Sequence, residues 1–319
     1  MRARRLGNLL DWGRWQACQR LFEAPLRAHV QLAGLGPKGP FELAWRRGGR
    51  LAFPTFRRVR GLFEFLFDHP DVLESAAPDD GLLGITWEGA RLFLRPDSFD
   101  FPIFGECWLR DVYRLERLPR PIGTVVDLGG NVGLFTTRAA RLGAERVIAV
   151  EPVGANRRLL ERNVAACGVA ERVRVVSEAI SGRSGERLAM QLSADNSGGH
   201  SLQRAAGTGA GVEEVTTVSL ADLFAREGVE RCALLKCDVE GAEYDALLAA
   251  PLEVLGRVER IAVELHLTPD LPAGRADALR AHLRAAGFAL DEEEGPEMYG
   301  GTLKQLLLHG VRTSPGQPR

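Results

Sequence analysis

At 319 residues, 45% hydrophobic and 26% charged, the chain has an ordinary globular balance with room for one large or two smaller domains, which excludes a disordered or fibrous class. Five cysteines without a C-x-x-C pair and six histidines without H-x-x-x-H spacing exclude a disulfide framework and a zinc module, and imply reduced thiols in a cytoplasmic setting. The net charge of −1 conceals a split: residues 1–60 hold 13 Arg and Lys against three acids, a net +10, leaving −11 for the remainder.

The first 21 residues pattern as an amphipathic helix, with Leu6, Leu9, Leu10, Ala17 and Leu21 toward one face and Trp12 and Trp15 flanking it. With its charge, this segment suits either peripheral contact with an anionic membrane surface or packing on the acidic remainder of the chain. Nothing approaches 18 apolar residues in a row, so no transmembrane helix is expected. Residues 41–53 alternate, turn through Arg46-Arg-Gly-Gly-Arg50 and resume, a hairpin signature. A short apolar helix or strand follows at 61–67. Ala77-Pro-Asp-Asp-Gly81 reads as a linker, dividing a basic N-terminal extension, 1–80, from a second domain, 81–319. Ile85-Thr-Trp87 and Arg91-Leu-Phe-Leu94 form a second hairpin, and 105–117 reads as a helix.

From there strands and helices alternate. The pattern predicts strands at 124–128, 146–150, 172–177, 232–237 and 259–264, helices at 134–142, 154–166, 242–249 and 274–286, and two final strands near 288–292 and 303–309. Such alternation implies βαβ units: an α/β, Rossmann-like, doubly wound sheet of seven mostly parallel strands, with an α+β extension at the N-terminus. Two closing strands without a helix between them imply an antiparallel strand at one edge. The stretch 182–216, with two glycine-rich tracts, reads as a long lid-type loop.

The decisive motif is Thr124-Val-Val-Asp-Leu-Gly-Gly-Asn-Val-Gly133, a β-branched run ending in an acid, then a glycine loop and a helix start. The dinucleotide register G-x-G-x-x-G would need glycine at 128, where Leu128 stands. Asp127 closes the strand where a pyrophosphate would meet only repulsion. An acid beside the glycines suits a cationic ligand, and S-adenosylmethionine carries a sulfonium and an ammonium.

Asp127-Leu-Gly-Gly-Asn-Val-Gly133, Val150-Glu-Pro152, Leu235-Lys-Cys-Asp-Val-Glu-Gly-Ala-Glu243 and Val263-Glu-Leu-His266 occur in this order at fitting distances. Together they resemble the FkbM family of S-adenosylmethionine-dependent methyltransferases, over about residues 100–312. Gly130 replaces the alanine common in that family's loop. The resemblance implies a class I methyltransferase fold, S-adenosylmethionine as cofactor, and an acceptor hydroxyl on a natural product, sugar or glycan.

Gly129, Gly130 and Gly133 would let the backbone approach the cofactor, with Asn131 tolerating the left-handed turn. Glu151, 24 residues after Asp127 at the end of the second strand, is placed to accept both ribose hydroxyls, and Glu178 to accept the adenine amino group. Asp238, Glu240 and Glu243 form a carboxylate cluster at the sheet's carboxyl edge, where Glu243 would also complement a helix dipole. Methyl transfer to a hydroxyl needs a base, and Asp238 with His266 is the expected pair, Glu264 or Asp238 orienting the imidazole. A divalent metal on Asp238 and Glu240 is the competing account, but no Asp-Asp or Asp-Asn pairing supports it, and no metal site is assigned. His200 falls on the expected lid, and Glu106, Trp108 and Tyr113 would cap the cofactor pocket. An RNA methyltransferase is the second reading, favoured by the basic N-terminal segment. However, Asp-Val-Glu-Gly occupies the place where a base methylase carries an Asn- or Asp-Pro-Pro-Tyr turn, so nucleic acid is not an expected partner. A non-catalytic binding module of the same fold is the third.

Overall fold

The computed structural model describes residues 10–36, 39–53, 56–193, 209–267, 271–294 and 304–313. The chain divides into two compact units, Met1–Gly105 and Glu106–Arg319.

In the first unit, α1 (Trp12–Leu21) starts at Asp11, whose carboxylate accepts the Arg14 N–H at 3.1 Å, and Pro25 opens α2 (Pro25–Leu32). Ala17, Cys18 and Leu21 are buried while Trp12 stays 67% exposed, so the buried stripe is shorter than the pattern predicts. Leu6 and Leu9 lie outside the described residues. The expected hairpin is β1 (Phe41–Ala44) against β2 (Arg50–Phe53), closed by stacked Phe41 and Phe53. The apolar run at 61–67 belongs to helix α3 (Phe56–Asp68), which α4 (Pro70–Ser75) follows. The expected linker is instead β3 (Ala77–Asp79), paired antiparallel with β4 (Leu82–Trp87), which pairs in turn with β5 (Ala90–Leu94). The sequence-based boundary after residue 80 would therefore cut a tight turn. Asp80 and Gly81 take φ of +49° and +75°, the left-handed pair that a two-residue hairpin demands. Helix α5 (Asp100–Phe104) holds the buried Asp100, whose carboxylate is gripped by the Arg95 guanidinium at 2.9 and 3.0 Å. Part of the basic charge is answered within this unit: Arg20 pairs with Glu74 at 2.9 Å and Arg50 with Glu42 at 3.1 Å.

A π-type turn, Gly105–Leu109, leads into the second unit, where a continuous helix over 105–117 was expected. The Asp111 carboxylate accepts the N–H groups of Leu115 and Glu116, both at 2.9 Å, and so competes with the helical ladder. Seven strands then form one sheet in the order β14-β15-β13-β12-β6-β7-β8. In chain order these are β6 (Ile122–Leu128), β7 (Ala144–Val150), β8 (Val173–Val176), β12 (Leu234–Cys237), β13 (Arg260–Leu267), β14 (Phe288–Glu294) and β15 (Lys304–Arg312). Helices α6 (Leu134–Arg141), α7 (Gly154–Ala166), α8 (Leu220–Arg226), α9 (Glu243–Leu248), α10 (Leu252–Leu255) and α11 (Arg275–Ala285) connect them. Val126, Ile148, Leu235 and Val263 pack under Phe224, Tyr244, Leu247, Leu279 and Leu283, all buried. Strands covered on both faces need such continuous apolar runs.

The reversed strand is β15, antiparallel to both β13 and β14. It does not lie at the edge, as expected, but one place in. β14 takes the edge and carries exposed Glu292, Glu293 and Glu294 there, charges that discourage pairing with another chain. The stretch at 182–216 is also more ordered than a lid. Strands β10 (Arg187–Ser193) and β11 (Gly209–Val218) pair antiparallel, and the end of β11 joins β9 (Ala179–Ile180) in a separate three-stranded sheet. Met190 and Val215 seat this hairpin on Val153 and Ala179. Residues 194–208, with His200, lie outside the described residues. All five cysteines are buried free thiols. Among the described residues no helix is long and apolar enough to cross a membrane.

Candidate active site

The strand order reverses between β6 and β12, and the carboxyl ends of strands beside such a switch point form a ligand crevice. The glycine loop lies there. Gly129 has φ +87°, and a Cβ on it would sit 1.9 Å from the Asp238 carbonyl oxygen, so only glycine lets the loop reach the end of β12. Gly133 is required as well, since its φ is +81° and a Cβ on it would meet the Leu160 stem of α7 at 2.9 Å, whereas a Cβ on Gly130 would meet only the terminal methyl of that leucine, which can give way.

Glu151 follows β7 and fastens the same loop. Its carboxylate accepts the Asn131 N–H at 2.8 Å and the Val153 N–H at 2.9 Å. Burial pushes its pKa up to about 7 against the pull of these hydrogen bonds. Asp127 is fully buried, takes the Thr136 hydroxyl at 2.5 Å, and faces the Lys236 ammonium at 3.1 Å. Burial raises its pKa while Lys236 opposes the rise. Glu178 is engaged by Arg226 of α8, its carboxylate 2.6 Å from the guanidinium.

Asp238, Glu240, Glu264 and His266 come together, joined by four residues to which the sequence reading gave a lesser role or none. The Tyr113 hydroxyl donates to Glu264 at 2.9 Å and reaches Asp238 at 3.5 Å. Glu243 orients His266 in place of Glu264 or Asp238. Its Oε1 accepts the His266 backbone N–H at 2.9 Å and lies 3.3 Å from Nδ1. Its other oxygen accepts the Gly241 N–H at 2.7 Å. On the far side of the ring, Nε2 is 3.6 Å from Glu240 and 3.2 Å from the Gln305 amide. Lys236 lies 3.7 Å from Asp238. Of these four, Lys236 had a signal in the sequence, a lysine inside the apolar run Leu234-Leu-Lys-Cys237; Gln305 had none. Trp108 is an anchor, its indole N–H donating to the Leu134 carbonyl at 3.0 Å.

The electrostatics separate the acids from the imidazole. Burial and the neighbouring Asp238 push Glu264 up to about 8, with His266 pulling the other way. Burial likewise lifts Glu106 to about 7. For His266, burial works against the charge, but Glu243, Glu240 and Asp238 outweigh it and raise the pKa to about 10. The imidazole is thus held as a cation at neutral pH, which makes it a charge partner and removes it as proton acceptor in this arrangement. Asp238, Glu264 and His266 each offer a ligand atom within 4.8 Å of one another. A divalent cation on these atoms would have to displace the imidazole proton, so its binding would strengthen as pH rises.

Because the folded-state pKa of His266 lies above its ordinary 6.5, its stabilising effect is complete below pH 6.5 and is lost as pH rises toward 10. Urea unfolding at stepped pH is expected to show stability falling by up to about 1.4 kcal/mol per pH unit across that window. The fall should be shallower in His266→Gln, where only the raised acids such as Glu264, near 8, still contribute. Identical pH dependence in both proteins would refute the charged-imidazole assignment.

The donor set fits S-adenosylmethionine. The carboxylates of Glu151, Asp127 and Asp238 accept hydroxyl or ammonium donors, and Asp127 Oδ1 lacks a well-directed hydrogen bond although Lys236 is near. A doubly wound seven-stranded sheet with one reversed strand, a glycine loop at its switch point and acids along its carboxyl edge defines a class I, S-adenosylmethionine-dependent methyltransferase. A family model described as the methyltransferase FkbM domain matches residues 127–290, and the chain belongs to that family.

Among curated proteins, the AMB antimetabolite synthetase AmbE of Pseudomonas aeruginosa is 30% identical over 223 residues, covering 58% of this chain and 10% of the synthetase. A ribosomal protein L11 methyltransferase of Pelotomaculum thermopropionicum is 42% identical over 74 residues, 22% of this chain and 24% of that enzyme. The chain thus spans at most about a quarter of these two relatives' lengths. Among solved structures, M. jannaschii TYW2 in complex with AdoMet aligns with a TM-score of 0.42 at 10% identity, covering 74% of this chain and 89% of that one.

Proposed function

We propose that this methyltransferase acts on a hydroxyl group of an uncharged or cationic small molecule or glycan, and that the Asp238–Glu264 pair takes the hydroxyl proton. The observation that carries this reading is the carboxylate pair bridged by Tyr113 beside the glycine loop. S-adenosylmethionine supplies an electrophilic methyl group when bound. Glu151 and the loop it fastens would hold the nucleoside end, and Asp127 and Asp238 favour the cationic end. An attacking alcohol loses its proton as the new bond forms, so a carboxylate within reach contributes about 10²–10⁴-fold. Asp238, with 28% of its side chain accessible, receives the proton. Glu264, lifted to about 8, stays largely protonated at neutral pH and lowers the repulsion within the pair.

The choice of acceptor class follows from which charges a ligand meets. Side chains of Glu106, Asp238 and Glu240 are 27%, 28% and 12% accessible, whereas those of Lys236 and His266 are 4% and 2%. A phosphate or carboxylate on the acceptor would approach these acids and gain nothing from the buried cations, the exposed cation beside them being Arg110, already 3.4 Å from Glu106. The same argument weighs against an RNA backbone. The match to a segment of an antimetabolite synthetase favours a biosynthetic small molecule, as does the family resemblance. The test is transfer of a labelled methyl group from S-adenosylmethionine to neutral sugars, aminosugars, polyketides, phosphorylated sugars and RNA offered side by side. Label is expected on a neutral or amine-bearing hydroxyl compound, and at least tenfold more slowly on its phosphorylated counterpart. Label found only in RNA would overturn the reading.

A further inference from the structure

The registry of β6 and β12 places Lys236 directly beside Asp127, and Asp238 follows two residues later, just past the end of β12. The Lys236 side chain is 4% accessible, and its ammonium makes three contacts that span the site. It donates to the Gly129 carbonyl at 2.7 Å, lies 3.1 Å from Asp127 and 3.7 Å from Asp238. The rings of Tyr113 and Phe135 cover it, their centroids 5.6 and 5.8 Å from the nitrogen. One buried cation therefore touches the glycine loop, the acid that opens it, and the carboxylate at the end of the neighbouring strand.

We propose that Lys236 is a positioning residue: it ties the cofactor loop, through the Gly129 carbonyl, to Asp238, so that cofactor and proton acceptor are set by one group. The inference rests on Asp238 acting as the base for its catalytic half and on the geometry alone for its cofactor half. Gly129 is already pressed against the Asp238 backbone. The Lys236 ammonium closes the same junction from the side-chain side, so loop and strand end move together. Removing the ammonium leaves two acids facing each other across the strand pair and frees the loop carbonyl. Both effects loosen the cofactor seat.

The experiment separates positioning from charge compensation. Lys236→Met, Asp127→Asn and the double variant are compared with the parent protein by thermal melting and by calorimetric titration with S-adenosylmethionine. The single Lys236→Met variant leaves buried carboxylates unpaired and is expected to melt well below the parent. The double variant removes one of the two acids with the lysine and should regain most of the stability of Asp127→Asn. If Lys236 positions the loop, the double variant still binds S-adenosylmethionine at least fivefold more weakly than Asp127→Asn alone, at matched melting temperature. Equal affinity in those two proteins would overturn the proposal and leave Lys236 as charge compensation. Should Lys236→Met fail to fold, the comparison of the double variant with Asp127→Asn carries the test unaided. None of these binding readouts depends on the acceptor. If Asp238→Asn retained full transferase activity, the base assignment would fail while a cofactor-affinity loss would still support the loop half.

Discussion

Replacement of Asp238 by alanine is expected to lower the methyl-transfer rate by about 10²–10⁴-fold, well beyond the loss of S-adenosylmethionine affinity that removing one carboxylate near the cationic end brings. The carboxylate stands just past the end of β12, between the Tyr113 hydroxyl and the Lys236 ammonium, and is partly accessible. Its loss removes the proton acceptor at the moment the alcohol becomes a nucleophile. Glu264→Gln should also slow the reaction, because Glu264 shares Tyr113 and influences the proton affinity of the pair. Groups that act as a unit give non-additive losses, so the double variant should be little slower than the worse single one. Steady-state kinetics on the acceptor found in the labelling screen checks this, and additive losses would show the two carboxylates working independently.

A second large effect is expected at Gly129. A methyl group there would meet the Asp238 carbonyl oxygen at 1.9 Å, on a backbone whose φ of +87° already disfavours L side chains. Because the obstacle is backbone at the end of a central strand, relief requires moving β12 or the loop. Gly129→Ala should cost about 3–5 kcal/mol, from left-handed strain and the steric shift together. It should also abolish measurable cofactor binding. Gly168 is the control. Its φ is +68°, but a Cβ there meets no atom within 4 Å, so alanine should cost only about 1 kcal/mol. Thermal melts of the two variants decide it. Comparable losses would mean that the loop–strand contact contributes nothing beyond backbone strain.

The alternation of strands and helices from 124 onward was legible in the sequence because fully covered parallel strands write themselves as short β-branched runs, and α6, α7, α9 and α11 carry apolar spacing between clear glycine punctuation. β10 and β11 were obscured for a physical reason. Their period-two pattern is short and flanked by glycine-rich tracts, so the segment carries the composition of a loop although it pairs over seven registered positions. The helix expected over 105–117 failed on one side chain, since Asp111 captures two N–H groups that a helix would have used. The linker expected at 77–81 failed because Asp-Gly marks a tight hairpin as readily as a flexible join.

Of the site, the sequence by itself determined the glycine loop, the acids at the ends of β6, β7 and β12, and the presence of a glutamate and a histidine on β13. These are local facts, written at strand ends where glycine and charge interrupt an apolar run. Only the tertiary structure decided what those side chains do for one another. Insertion of β15 between β13 and β14 brings Gln305 to His266, across a sequence separation no local pattern reports. Tyr113, 125 residues from Asp238 and 151 from Glu264, reaches both through an irregular segment whose path is set by Asp111. The protonation of His266 depends on the distances to Glu243 and Glu240, and the role of Lys236 on the registry of β6 with β12. Proton affinity and charge pairing fall off steeply with distance and burial, and a sequence carries neither quantity until the chain has folded.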